Sequence, residues 1–253
     1  MRLSMLAVGA TLLLAACATT PPPANYVPPF VAAAVADRGR PDADTVRDPD
    51  RKPAEVIAYA GIRPGMKVVD LIPGGGYFTR IFSKIVGPKG VVYAYVPDEL
   101  SRLANRPPAI APIVADPQYK NVTMLLKPVA QFSVPEQVDV VWTSQNYHDM
   151  HAPFMGPVNM SNLNRAVFDA LKPGGLYLVL DHSAAPGSGT RDTATLHRID
   201  PAAVRAEVTA AGFIFEGESP LLRNPADDRS QRVQEGAIRG HTDQFIYKFR
   251  KPR

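Results

Sequence analysis

Five histidines occur in the 253 residues, and four of them lie in three short segments that also carry carboxylates. The segments are His148-Asp149-Met150-His151, Asp181-His182 and His197-Arg198-Ile199-Asp200. Imidazole titrates near neutral pH and can take a proton from an oxygen or nitrogen nucleophile. Imidazole nitrogen and carboxylate oxygen also bind divalent ions such as Zn²⁺, so the same residues form a candidate metal set. A third reading involves no ligand, because such groups also cap loops and hydrogen-bond to each other. Asp200 fits that role, standing just before a helix expected over 201–211. The concentration of imidazole and carboxylate favours a functional cluster, with His148, Asp149, Asp181 and His182 as the candidate catalytic residues. His241 stands apart in a polar loop, and Trp142, Tyr93 and Tyr95 lie on apolar runs that read as core.

A second group is Asp70-Leu71-Ile72-Pro73-Gly74-Gly75-Gly76-Tyr77. Glycines let a backbone turn tightly and approach a ligand closely, and a helix that follows supplies N–H groups from its first turn. A Gly-x-Gly turn by itself also serves as a plain strand-to-helix connection, so its place in the order of elements decides its meaning.

Those elements are legible. Buried-strand patterns run over 67–72, 91–96, 122–126, 138–143 and 176–181. Helical spacing runs over 77–86, through Phe78, Ile81, Phe82 and Ile85, over 99–114 despite its prolines, and over 162–171. A short helix ahead of them has Pro53 near its first turn and Gly61 as its stop. Two last strands over 213–218 and 244–249 are joined by a long polar loop and can pair as a hairpin. The alternation predicts an α/β fold with a mostly parallel sheet covered on both faces. Ligands of such sheets sit at the carboxyl ends of the strands, where the strand order reverses. That places the site after Ile72, Val96, Thr143 and Asp181, with the 148–151 and 181–182 segments facing each other and His197 and Arg198 returning over the same edge.

The run Val68 to Tyr77 resembles the first motif of class I S-adenosylmethionine-dependent methyltransferases. Gly90-Val91-Val92-Tyr93-Ala94, Val138-Asp139-Val140-Val141 and Leu171-Lys172-Pro173-Gly174-Gly175 continue the resemblance in the right order. Arg51-Lys52-Pro53, Asn146-Tyr147-His148-Asp149 and Thr242-Asp243-Gln244-Phe245 are similar to a bacterial group of exported, lipoprotein-type predicted methyltransferases. The resemblance implies a Rossmann-like class I methyltransferase fold, a seven-stranded mostly parallel sheet with an antiparallel last strand. It also implies S-adenosylmethionine as cofactor, held by Asp70, Gly74, Gly75, Gly76 and Tyr77, and it puts the histidine segments on the active-site rim. Three positions depart from the pattern. Ile72 replaces the first glycine, and Val96 stands where a ribose-binding acid falls ~20 residues beyond the glycines, with Asp98 or Glu99 as a late substitute. Leu126-Lys127-Pro128 lacks the acid that often follows the third strand.

With 45% hydrophobic and 21% charged residues the chain can bury a full core, which excludes disorder and disulfide-scaffold classes. The excess of 28 Lys plus Arg over 24 Asp plus Glu is too thin to mark a nucleic-acid binder. At the N-terminus, Arg2 precedes an apolar run over 5–16 that is too short to span a bilayer but fits a signal peptide over 1–16. Leu14-Ala15-Ala16-Cys17 resembles a bacterial lipobox, which gives the sole cysteine a role as the lipidated N-terminus. Residues 17–47 then read as a Pro-rich tether and 48–253 as one methyltransferase-like domain, anchored by lipid in the bacterial cell envelope and facing the periplasm. Its expected partners are a small-molecule or envelope substrate and the membrane. The competing function is a non-catalytic or metal-dependent ligand-binding lipoprotein that keeps the fold, so a divalent metal stays open beside S-adenosylmethionine.

Overall fold

The computed structural model describes residues 26–253, so the expected signal peptide and Cys17 lie outside the described residues. Four helices lead the chain: α1 (Pro29–Val35), α2 (Asp42–Thr45), α3 (Asp48–Arg51) and α4 (Pro53–Ala60). They are followed by α5 (Tyr77–Val86), α6 (Asp98–Ala104), α7 (Ala111–Ala115), α8 (Met160–Ala170) and α9 (Pro201–Ala210), set between strands. β1 (Lys67–Leu71), β2 (Val91–Pro97), β3 (Val122–Lys127), β4 (Val138–Ser144) and β5 (Leu171–His182) run parallel. β6 (Ile214–Ser219) lies on the edge, and β7 (Gln244–Arg250) inserts antiparallel between it and β5. The order is β3-β2-β1-β4-β5-β7-β6, the sheet expected from the sequence.

Strand side chains alternate between faces, and the burial follows that period. Val68, Val92, Val140 and Leu178 join a core with Ile57, Ile81 and Phe82 from α4 and α5. Val69, Val141, Val179 and Phe245 join a second core with Leu163, Val167, Val204 and Val208 from α8 and α9. Trp142 is sealed between Phe78 and Phe82, whose ring centroids lie 4.7 and 5.2 Å away. Each such side chain contributes ~1.5–3 kcal/mol through burial.

Two expectations are corrected here. Residues 29–47, read as part of a tether, are folded. α1 packs Val31 and Ala34 into the core beside α5, Arg40 donates two hydrogen bonds to Asp48 at 2.7 Å, and Arg80 pairs with Asp44 at 2.6 Å. The folded body therefore includes residues well ahead of Asp48, from Pro28 on. The helix expected over 99–114 is broken into α6 and α7, because Asn105 takes a left-handed conformation and Pro107-Pro108 cannot continue the ladder. No helix among the described residues is long and apolar enough to cross a membrane.

Candidate active site

β1 runs out into a turn in which Ile72, Gly74 and Gly76 have φ of 61°, 56° and 83°. Ile72 thus keeps the left-handed backbone that a glycine would adopt freely, at a cost of ~1–2 kcal/mol for an L-residue. Its surroundings hold it there: the side chain is buried, its N–H donates to Tyr95 O at 2.9 Å, and its carbonyl accepts from Asn146 Nδ2 at 2.9 Å. Asn146 also donates to Ser144 O at 2.7 Å, which ties the turn after β1 to the one after β4. Around Gly74 and Gly75 there is open space where a Cβ would stand, whereas a Cβ on Gly76 would run into Ile110 and Ile113. Gly74 and Gly75 are therefore the residues open to a ligand, and Gly76 is needed for the approach of the α7 segment.

Asp70 is buried and accepts the Thr79 hydroxyl at 2.6 Å, so it braces β1 against α5 and fixes the turn between them. Burial pushes its carboxyl up to about 6, against the opposing pull of the Thr79 hydrogen bond and the Arg51 charge. Tyr77, expected at the cofactor, is placed otherwise. Its hydroxyl donates to Asp48 Oδ1 at 2.5 Å, and the guanidinium carbons of Arg40, Arg47 and Arg51 lie 5.3, 5.3 and 4.5 Å from its ring centre. It anchors the N-terminal helices to the glycine turn. Asp98 pairs with Arg102 one turn along α6 at 2.7 Å. Glu99 accepts from Val129 N at 3.2 Å, and neither acid lines the cavity beside Gly74. β2 passes directly into α6 at Pro97, which carries both carboxylates past the position that residue counting assigns.

Beside Gly74 lies a cavity of about 140 Å³ lined by Ile72, Val96, Leu100, Arg106 and Pro108. A larger cleft of about 900 Å³ opens on its far side, over the ends of β4 and β5. Leu100 of α6 lines both. Arg51 links the turn to this cleft: it lies over Tyr77 and Phe78, and donates to Gln145 Oε1 at 2.7 Å. Gln145 in turn donates to Gln244 Oε1 at 2.9 Å. Desolvation and the nearby Arg47 charge lower Arg51 to about 10.

In the cleft, the 148–151 and 181–182 segments meet as the topology predicts, but not all their residues converge. Asp181 is fully buried and accepts three hydrogen bonds at 2.8 Å, from His148 N, His148 Nδ1 and His182 N. His148 Nε2 lies 3.1 Å from Asp149 Oδ1 and 3.3 Å from His197 Nδ1, and the latter is 3.3 Å from Asp149 Oδ1. Burial works against the charged form of His148, but the charges of Asp181 and Asp149 and their hydrogen bonds outweigh it and raise the imidazole to about 10. Burial would raise the Asp181 carboxyl, yet the His148 charge and hydrogen bonds hold it low. The two carboxylates thus favour the protonated form of His148. His182 is neutral, lowered to about 3 chiefly by burial, and its Nδ1 meets Thr242 Oγ1 at 2.6 Å. His151 turns away to Glu207 at 3.2 Å and leaves the cluster.

His197 was placed on the rim by topology, but its part in the cluster rests on a conformation that no sequence pattern shows. Its φ is 54°, held by anchored neighbours: Ile199 N donates to His182 O at 3.0 Å, and Arg198 is buried. The Arg198 guanidinium meets Asp227 at 2.7 and 3.1 Å and donates to Ser183 O and Gln231 O at 3.0 and 2.9 Å. This fixes the long loop after β6, whose Val233, Gln234 and Arg239 roof the cleft. Asp200 is structural, accepting Ala202 N at 2.9 Å as the cap of α9.

Comparison with known proteins agrees with this geometry. No protein-family model matches the chain. It is 34% identical over 130 residues to the ubiquinone/menaquinone biosynthesis C-methyltransferase UbiE of Shewanella woodyi, and equally to that of Shewanella oneidensis. The match covers 50% of this chain and 47% of each relative, so the chain spans about half the length of these curated relatives. Among solved structures, an S-adenosylmethionine-dependent methyltransferase from Aquifex aeolicus superposes with TM-score 0.57 at 19% identity, over 81% of this chain and 94% of that one. The [4+2]-cyclase SpnF superposes with TM-score 0.55 at 16% identity, over 86% and 85%. The fold is that of the class I S-adenosylmethionine-dependent methyltransferases.

Proposed function

We propose that the chain binds S-adenosylmethionine against the glycine turn and transfers its methyl group to an acceptor held in the adjoining cleft. The carrying observation is the turn itself: it leaves β1 at the point where the strand order reverses, with Gly74 and Gly75 open to solvent space. Bound there, S-adenosylmethionine would supply an electrophilic methyl group and be released as the thioether, and the Asp149 and His197 side of the cluster lines the acceptor space, where it can take up a proton released by an oxygen or nitrogen acceptor. Arg47, Arg51 and Arg239 line the cleft against Asp50 and Asp149, which favours a small molecule or envelope component with an anionic group.

Gly74→Asn tests this reading, because Asn tolerates a left-handed backbone and its side chain would fill the cavity. Calorimetry is expected to show S-adenosylmethionine binding to the wild type and at least ~10-fold weaker binding to the variant, a loss of ~1.4 kcal/mol, with little change in melting temperature. A wild type with no heat of binding at millimolar cofactor ends the proposal. A second reading, a ligand-binding protein that keeps the fold without methyl transfer, is favoured by one observation. The cavity beside Gly74 holds about 140 Å³, below the ~300 Å³ at which small-molecule sites begin, and no carboxylate lines it.

We infer from residues 1–17 that the protein is exported, lipidated at Cys17 and anchored at the envelope. Two or three acyl chains at one cysteine anchor stably where a single chain does not. Cys17→Ser is expected to move the protein from the membrane pellet to the soluble fraction; an unchanged distribution removes the anchor.

A further inference from the structure

We propose that His148, Asp149 and His197 form a binding site for a divalent transition-metal ion on the floor of the cleft. The site stands on its own geometry and does not depend on methyl transfer. Among the described residues these three alone, of the histidines and carboxylates, bring ligand atoms together as a set of this kind. Nε2 of His148, Oδ1 of Asp149 and Nδ1 of His197 mark a triangle with edges of 3.1, 3.3 and 3.3 Å. An ion ~2.0–2.1 Å from each ligand in tetrahedral coordination would hold them ~3.3–3.4 Å apart. The spacing already present is thus close to one face of that polyhedron, and because all three residues line the cleft its open position faces the acceptor space.

The support of His148 is that of a metal ligand, whereas His197 Nε2 lies 3.1 Å from the Arg232 guanidinium, which must turn away for Nδ1 to ligate. Asp181 Oδ1 lies 2.8 Å from His148 Nδ1, so it can hold the proton there and leave the Nε2 lone pair on the cluster side. Carboxylates do this for metal-bound imidazoles in general. His197 pays for its left-handed backbone and is kept in it by the buried Arg198 and by Ile199, an arrangement that aims Nδ1 at the other two ligands. Strain of this kind persists where the surroundings over-determine it. Neither neighbouring imidazole competes: His182 is turned to Thr242, and His151 to Glu207. Two imidazoles and one carboxylate, with no thiolate, suit ions of the Zn²⁺, Fe²⁺ or Co²⁺ type; Mg²⁺ and Ca²⁺ prefer oxygen alone. When such an ion is bound, its open positions would take an oxygen of the acceptor.

The test is a titration of the chelator-treated full chain with Zn²⁺ by calorimetry and with Co²⁺ by visible absorption, without S-adenosylmethionine. About one equivalent is expected to bind, with the d–d absorption of four- or five-coordinate Co²⁺. Affinity should fall at least 10-fold in His197→Gly, which keeps the positive φ without strain, and in Asp149→Asn. It should stay unchanged in His151→Ala. Absence of stoichiometric binding, or binding that both variants leave intact, or an equal loss in His151→Ala, overturns the site. Since the cofactor is left out, these outcomes are separate from those of the S-adenosylmethionine experiment.

Discussion

Asp181→Asn is expected to lower the unfolding free energy by about 3–5 kcal/mol, as breaking a buried ion pair does. The two carboxylate oxygens already satisfy three donors, the backbone N–H groups of His148 and His182 and the His148 ring. An amide offers one acceptor oxygen in the same space, and its NH₂ would confront at least one of those N–H groups. It would also take from the buried His148 ring one of its two carboxylate partners, adding to the cost of an unpaired donor. The three hydrogen bonds make the cost to stability large in its own right. Urea unfolding at neutral pH measures the loss, and a change below ~1 kcal/mol would show that the donors find other partners.

Asp70→Asn is expected to act in the opposite direction, and only above acidic pH. A buried carboxyl pushed up to about 6 binds protons in the folded state that an unfolded Asp, near 3.9, has already released. Its contribution to stability is therefore complete below about pH 4 and is lost as pH rises through about 6. Two pKa units correspond to about 3 kcal/mol, so near pH 7.5 the Asn variant should be more stable than wild type by up to that amount. The advantage should vanish near pH 4. The introduced amide would keep an acceptor for the Thr79 hydroxyl, so the fold loses little, while a cofactor that uses the charge would bind less well. Denaturant unfolding across this range decides it, and parallel curves for the two proteins would rule out a charged, desolvated Asp70.

Most of the fold was legible because strands and long helices carry their burial in their own period. Val68 and Val69, one residue apart, feed different cores, and that alternation is written in the sequence. The glycine turn and the meeting of 148–151 with 181–182 followed from the order of elements. What failed depended on distant partners. Val31, Ala34 and Arg40 sit in an Ala, Asp, Arg and Pro stretch whose composition is that of a tether, and only α5 and Asp48 give it a reason to fold. Tyr77 follows the glycines as a cofactor contact would, but the helices it anchors come from that same unrecognised stretch. The membership of His197 in the cluster, and the departure of His151, turn on backbone angle and on Glu207, neither visible locally.

The position of β7 has a consequence for how the protein is made. It follows the six other strands in the chain, yet it lies inside the sheet and hydrogen-bonds to β5 and β6. Until it has left the ribosome, β5 presents a bare edge. Exposed strand edges recruit other chains, and such intermediates are prone to aggregation. The sheet beside the cleft is thus completed only once β7 has emerged. A message truncated even slightly before Gln244 would yield an open-edged, association-prone product in place of a less active one.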